Sequence, residues 1–229
     1  MKPRLAVLDM VGTTVEAGPE VAEAFGEAFG RVGVILPVDV VNGVRGRSKK
    51  EAVAELAAAY LPELDDPTKT EREIYSTFRS ILLARYERAS RPVAGAHTAL
   101  EYLKRHGAHV VLTTGLDRDT ANQILRGLDW ESLGLCGVVT GDDVERGRPA
   151  PDLIHAAMAL TGEDESASVL VVGDTISDLE AAARAEAGWS VGVLSGAHTR
   201  SQLQSCPHSV ILESVAELPC WLDQMGAWS

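Results

Sequence analysis

Six short apolar runs, most of them passing straight into Gly, Thr or Asp, constrain the fold of this chain more than any other feature. They lie at 5–8, 109–115, 137–143, 168–174, 190–196 and 209–214. Helical patterns beginning near Ala96, Asp119, Pro151 and Asp178 separate the later runs. Strands that are apolar on both faces and alternate with helices predict a doubly wound α/β architecture with a parallel sheet. Such sheets bind ligands at the carboxyl ends of their strands. Between the first run and the second lie amphipathic helical segments at 21–33, 49–61 and 69–89. Pro37, Gly43, Gly46, Pro62 and Pro67 punctuate this stretch. The expected organisation is a core of residues 1–15 and 92–229 with a helical insert at 16–91, hinged near 15–20 and 88–93.

The length, 229 residues, suits one large domain plus a small insert. A net charge of −12 argues against a nucleic-acid partner, which would call for a basic face. It leaves room for a small anionic substrate, because a few local cations and a metal ion override the global sign. Cys136, Cys206 and Cys220 have neither CxxC spacing nor a histidine at zinc-ligand spacing, and read as free thiols in a reducing compartment. No apolar stretch reaches the roughly 18 residues of a membrane span, and the amino terminus lacks a signal-peptide core. The expectation is a cytoplasmic protein without a membrane partner.

Asp9, Thr113, Asp174 and Asp178 fall at or just after the ends of expected strands, so a parallel sheet would gather them in one crevice. Grouped carboxylates repel one another and call for a cation or a shared proton. Mg²⁺, held by one or two carboxylates with waters and phosphate oxygens, suits such a set. An aspartate beside Mg²⁺ can attack phosphorus and become phosphorylated. The Gly12-Thr13-Thr14 turn offers backbone amides for phosphoryl oxygens. A strand-end aspartate taken alone is more often a turn cap, and Asp178 taken alone suits a helix first turn.

The segments DMVGTTV (9–15), TTG (113–115), GRPAP (147–151) and VVGDTISD (171–178) resemble, in order and spacing, the four motifs of the haloacid dehalogenase superfamily. The resemblance implies a Rossmann-like core with the insert as a C1-type helical cap. It implies Asp9 as nucleophile and Thr113 as the second-motif residue, with Thr114 the alternative. Gly12, Thr13, Thr114 and Gly115 would contact phosphate, and Arg148 would bridge nucleophile and phosphoryl group. Mg²⁺ would be held by Asp9, the Val11 carbonyl and Asp174, with Asp178 close by.

Phosphatases of this superfamily usually carry an acidic residue two positions after the nucleophile, where Val11 stands here. The DxxGTT pattern, Arg148 in the third motif and GRSKKEAV (46–53) instead resemble phosphonoacetaldehyde hydrolases, with Lys49 at the position of the imine-forming lysine. A lysine imine is an electron sink that lets carbon leave phosphorus as an enamine, with no acid needed for an alkoxide. Such a lysine must be partly neutral, and Arg45, Arg47 and Lys50 are candidate cationic neighbours. The family's histidine and tyrosine are replaced by Ala52 and Leu116, which points to a related 2-oxo-phosphonate as substrate. A homodimer through the cap is also implied. Two rival readings are a phosphomonoesterase on the same fold and a receiver-like protein that binds metal and phosphate without turnover.

Overall fold

The computed structural model describes residues 2–62 and 66–228. Residues 1, 63–65 and 229, which fall within the expected core and insert ranges, lie outside the described residues. The chain opens with β1 (Leu5–Asp9), whose five side chains are all buried. It then makes four helices: α1 (Glu20–Gly30), α2 (Val38–Gly43), α3 (Lys49–Tyr60) and α4 (Pro67–Ala89). Next come α5 (Ala96–Arg105), β2 (His109–Thr113), α6 (Arg118–Gly127), β3 (Gly137–Val139), α7 (Asp152–Thr161), β4 (Val169–Gly173) and α8 (Ile176–Arg184). The chain closes with β5 (Trp189–Val193), α9 (Arg200–Leu203), β6 (Val210–Leu212) and α10 (Leu218–Gln224).

The six strands form one parallel sheet in the order β3-β2-β1-β4-β5-β6. Alternation along the strands builds two cores. Ala6 and Leu8 face one side, with Leu100 and Leu103 of α5, Ile124 of α6 and Leu222 of α10. Leu5 and Val7 face the other, with Leu153 and Ile154 of α7 and Ala181 and Ala182 of α8. This is the doubly wound arrangement expected from the sequence. The strands prove shorter than the apolar runs. The run at 137–143 stops at Val139, because the Asp143 carboxylate turns back to accept from both the amide and the hydroxyl of Thr140.

Between β1 and α5 the helices pack on one another, and their buried side chains are continuous with the sheet face that holds Ala6 and Leu8. Phe25 of α1 and Phe78 of α4 lie with ring centroids 4.5 Å apart, and Val53 and Leu56 of α3 join the same buried cluster. The outgoing and returning chains meet at one point. Val15 bridges Pro92 in antiparallel fashion, Glu16 N donates to Arg91 O at 2.8 Å and Val93 N to Thr14 O at 3.0 Å. Helix α2 is an addition to the expected pattern. The six residues Val38–Gly43 leave too little periodicity to separate a helical turn from a loop. Among the described residues no helix is long and apolar enough to cross a membrane.

Candidate active site

The site grows from the tight turn after β1. The Met10 carbonyl accepts from the amides of Thr13, Thr14 and Val15, and Gly12 N donates to Val15 O at 2.7 Å. The Gly12 and Thr13 amides, which the sequence offers to phosphoryl oxygens, thus already have backbone acceptors in this structure. Both residues also touch Asp174. Gly12 has φ +104, and a methyl group there would overlap the Asp174 carboxylate. The Thr13 hydroxyl donates to Asp174 Oδ1 at 3.1 Å.

Asp174 follows β4, and its other oxygen accepts from Ala197 N at 2.7 Å in the loop after β5. Ser195 of the same loop donates to the Gly12 carbonyl at 2.7 Å. Sequence reasoning missed this loop; VLSGAH (193–198) carries no catalytic motif, and only its place after a strand could have marked it. Burial first, and the neighbouring Asp9 second, push the Asp174 carboxyl above its ordinary range.

Asp178 occupies a different place from the one expected of a metal neighbour. Its Oδ2 accepts from Thr175 N at 2.9 Å and Thr175 Oγ1 at 2.6 Å, closing a capping box at the start of α8. Its Oδ1 accepts from Arg148 Nη1. Asp178 does not line the cavity that Asp9 and Asp174 share, so the carboxylates that face a cation there are Asp9 and Asp174. Among the described residues no group of three or more His, Cys, Asp or Glu side chains is disposed to hold a metal. Two buried carboxylates in one cavity, the Asp9 charge raising the proton affinity of Asp174, with Val11 in the same wall, still suit Mg²⁺, which takes most of its ligands from water and phosphate oxygens.

Arg148 is 3% exposed and stands between the two halves of the site. Its Nη2 lies 2.6 Å from Asp9 Oδ1, close enough for an ion pair yet not aligned as a hydrogen bond. Nε and Nη2 thus remain without hydrogen-bond acceptors. A buried guanidinium with two unsatisfied N–H groups is suited to an incoming anion.

Lys49 opens α3 and closes over this floor. It is 6% exposed, its amide donates to Gly115 O at 3.0 Å and its Nζ to Arg47 O at 3.0 Å. Burial first, then the Arg148 charge, lowers its pKa to about 8. Lys49, Asp9, Val11, Arg148 and Asp174 line one cavity of ≈ 40 Å³. One water requires ~10–15 Å³, so the cavity holds a few waters or a group of similar size. Lys50, by contrast, is exposed, and Arg47 pairs with Glu55 at 2.7 Å.

Of the two threonines at the end of β2, Thr114 lines the cavity with Gly115, and Thr113 does not. Successive strand side chains leave on opposite faces, so one of the pair must turn away. Thr113 stays within the sheet, in register with Asp9.

The sequence profile of the haloacid dehalogenase-like hydrolase family matches residues 3–186. The chain belongs to this family. This haloacid dehalogenase-like hydrolase is 28% identical over 207 residues to the phosphonoacetaldehyde hydrolase of Bacillus cytotoxicus, covering 86% of the chain and 77% of that relative. Its fold is similar to that of a hydrolase from Pseudomonas syringae, with a TM-score of 0.86, 25% identity and coverage of 97% and 99% of the two chains. It also matches a phosphonoacetaldehyde hydrolase-like protein from Oleispira antarctica, with a TM-score of 0.84, 19% identity and coverage of 99% and 95%. That last likeness bears on the fold alone.

Proposed function

We propose that this hydrolase cleaves the C–P bond of a small 2-oxo-phosphonate through a lysine imine and an aspartyl phosphate. The observation that carries this reading is the buried Lys49, its pKa lowered to about 8, in the same cavity as Asp9 and Arg148. In a phosphomonoesterase Lys49 would be only a phosphate or substrate contact, and with Val11 at the second position after Asp9 such an enzyme would lack a carboxylic acid for the departing alkoxide.

In this mechanism the Lys49 amine adds to the substrate carbonyl and loses water, leaving an iminium. The Asp9 carboxylate attacks phosphorus. The C–P electron pair moves into the iminium and carbon departs as an enamine. Protonation at carbon and hydrolysis free the product and restore Lys49, and a second water cleaves the aspartyl phosphate. The unsatisfied Arg148 N–H groups hold the transferring phosphoryl oxygens, joined by the Thr114 hydroxyl. Mg²⁺, held by Asp9, the Val11 carbonyl and Asp174, would neutralise charge on the phosphoryl group. Asp178 keeps Arg148 aimed. Residues 16–91 act as a cap that shuts the cavity against water, over a core of 1–15 and 92–229.

Borohydride trapping tests the reading. With a 2-oxo-phosphonate and Mg²⁺, a reduced adduct on Lys49 is expected, together with phosphate release that Lys49→Ala and Asp9→Asn both abolish. Asp9-dependent phosphate release from ordinary phosphomonoesters, with no adduct from any 2-oxo-phosphonate, would sink it in favour of a phosphatase.

A further inference from the structure

A third cationic side chain lines the cavity with Lys49 and Arg148. Arg45 stands four residues before Lys49, across Gly46, and shares the wall with Ala17 and Val21. Among the described arginines that are not fully exposed, Arg47, Arg79, Arg85, Arg118 and Arg148 each hold a carboxylate. Arg45 holds none. Its one hydrogen bond runs to the Gly18 carbonyl at 3.4 Å. Acids are not scarce, since the chain carries 33 Asp and Glu against 21 Lys and Arg. Glu20 also packs against Gly18 with a buried, unpartnered Oε2, yet it forms no ion pair with Arg45.

Sheltering a guanidinium without a counter-charge costs free energy unless a ligand supplies one. The proposed reaction occupies the other two cations, Arg148 with the phosphoryl group and Lys49 with the carbonyl carbon. The charge of Arg45 remains, on the segment that presents Lys49. A carboxylate attached to the carbonyl carbon would lie one bond from the imine, where a guanidinium on this segment can grip it through two parallel N–H bonds.

We propose that Arg45 is a specificity residue that binds a carboxylate on the substrate, so that the substrate class is a phosphonate 2-oxo acid rather than a phosphonate aldehyde. This rests on the C–P cleavage reading above. The atoms balance without an added oxidant or reductant. The C–P bond breaks, the phosphoryl group passes to Asp9, and the electron pair goes to the enamine of the oxo acid. Protonation at carbon and hydrolysis release the free 2-oxo acid. Hydrolysis of the aspartyl phosphate gives inorganic phosphate, for a net use of one water.

The test compares 3-phosphonopyruvate, which has the carboxylate, with phosphonoacetaldehyde, which lacks it. Phosphate release is measured with Mg²⁺, and Lys49 adducts are trapped with borohydride. The wild type is expected to prefer the oxo acid at least tenfold in kcat/KM. Arg45→Met should lower the oxo-acid to aldehyde ratio on the order of 10²-fold, chiefly through KM for the oxo acid. Arg45→Lys, which keeps the charge, should retain part of the preference. Wild-type preference for the aldehyde, or an equal loss on both compounds in Arg45→Met, overturns the assignment and leaves C–P cleavage standing. An identical change in Glu20→Gln also overturns it, because Arg45 would then act as a tether within the helices. Neither phosphate nor adduct from either compound overturns the C–P reading and this inference with it.

Discussion

The Glu51 carboxylate accepts a hydrogen bond from the Gly147 amide at 2.9 Å, joining α3 to the residue just before Arg148. This contact therefore ties the lysine-bearing helix to the segment that carries Arg148. Glu51→Ala should slow turnover about tenfold with a smaller change in KM, because closure no longer sets Arg148. Glu51→Gln keeps an acceptor and should recover most of the rate. Steady-state kinetics of the two variants checks this.

Gly115 is the floor on which Lys49 closes. Its carbonyl accepts from Lys49 N, and a methyl group there would overlap the Arg47 carbonyl oxygen. Gly115→Ala should hold the α3 segment away from the sheet and reduce kcat/KM on the order of 10²-fold. Thermal melting should change little, since the clash is relieved by opening and the two sheet cores are untouched.

Lys49 is stabilised as an amine at the expense of the fold. Unfolded, it holds its proton up to 10.5; folded, only up to about 8. Between those values the unfolded state binds more protons, so this group's contribution to stability rises with pH, and below about 8 the penalty is present in full. Lys49→Met should therefore be the more stable protein at pH 7, by up to about 3 kcal/mol for a shift of roughly 2.5 units. The difference should fade as pH rises from about 8 to 10.5. Denaturant melts of both proteins across that range measure it.

The same lysine sets the pH dependence of catalysis. Imine formation needs the neutral amine, so kcat/KM for a 2-oxo-phosphonate should climb with pH and level off near about 8. Below that point the rate should fall about tenfold per pH unit. A flat profile between pH 6 and 8 would contradict the assigned role of Lys49.

Metal removal should divide the reaction in two. After EDTA treatment the protein should release no phosphate, because Asp9 and Asp174 are left to repel one another at the attacking carboxylate. Borohydride should still trap an adduct on Lys49, whose chemistry needs no metal. Mg²⁺ should restore phosphate release, and should fail to do so in Asp174→Asn.

The sheet was legible because buried parallel strands are apolar on both faces. Residues 5–8 and 169–172 are uninterrupted apolar runs that stop at a turn, and that same stop delivers Asp9 and Asp174 to one edge. Thr113 and Thr114 were indistinguishable in sequence, since identical residues on opposite sides of a strand end differ only in direction. Asp178 suits both a metal neighbour and a helix cap in sequence, since Thr175-x-x-Asp178 has the spacing of a capping box, and the structure forms that cap. Arg45 was visible only as one of several positive charges near Lys49. Its distinction is the carboxylate it lacks, and an absent partner leaves no mark in a linear sequence.

The short ribbon where Val15 meets Pro92 has a consequence for how such a chain changes over time. The segment leaves and rejoins the sheet side by side, so its length and contents do not enter the register of the strands. Residues can be gained, lost or exchanged between those two points while Asp9 and Asp174 keep their separation. What is recognised can drift while the proposed phosphoryl transfer at Asp9 is inherited intact.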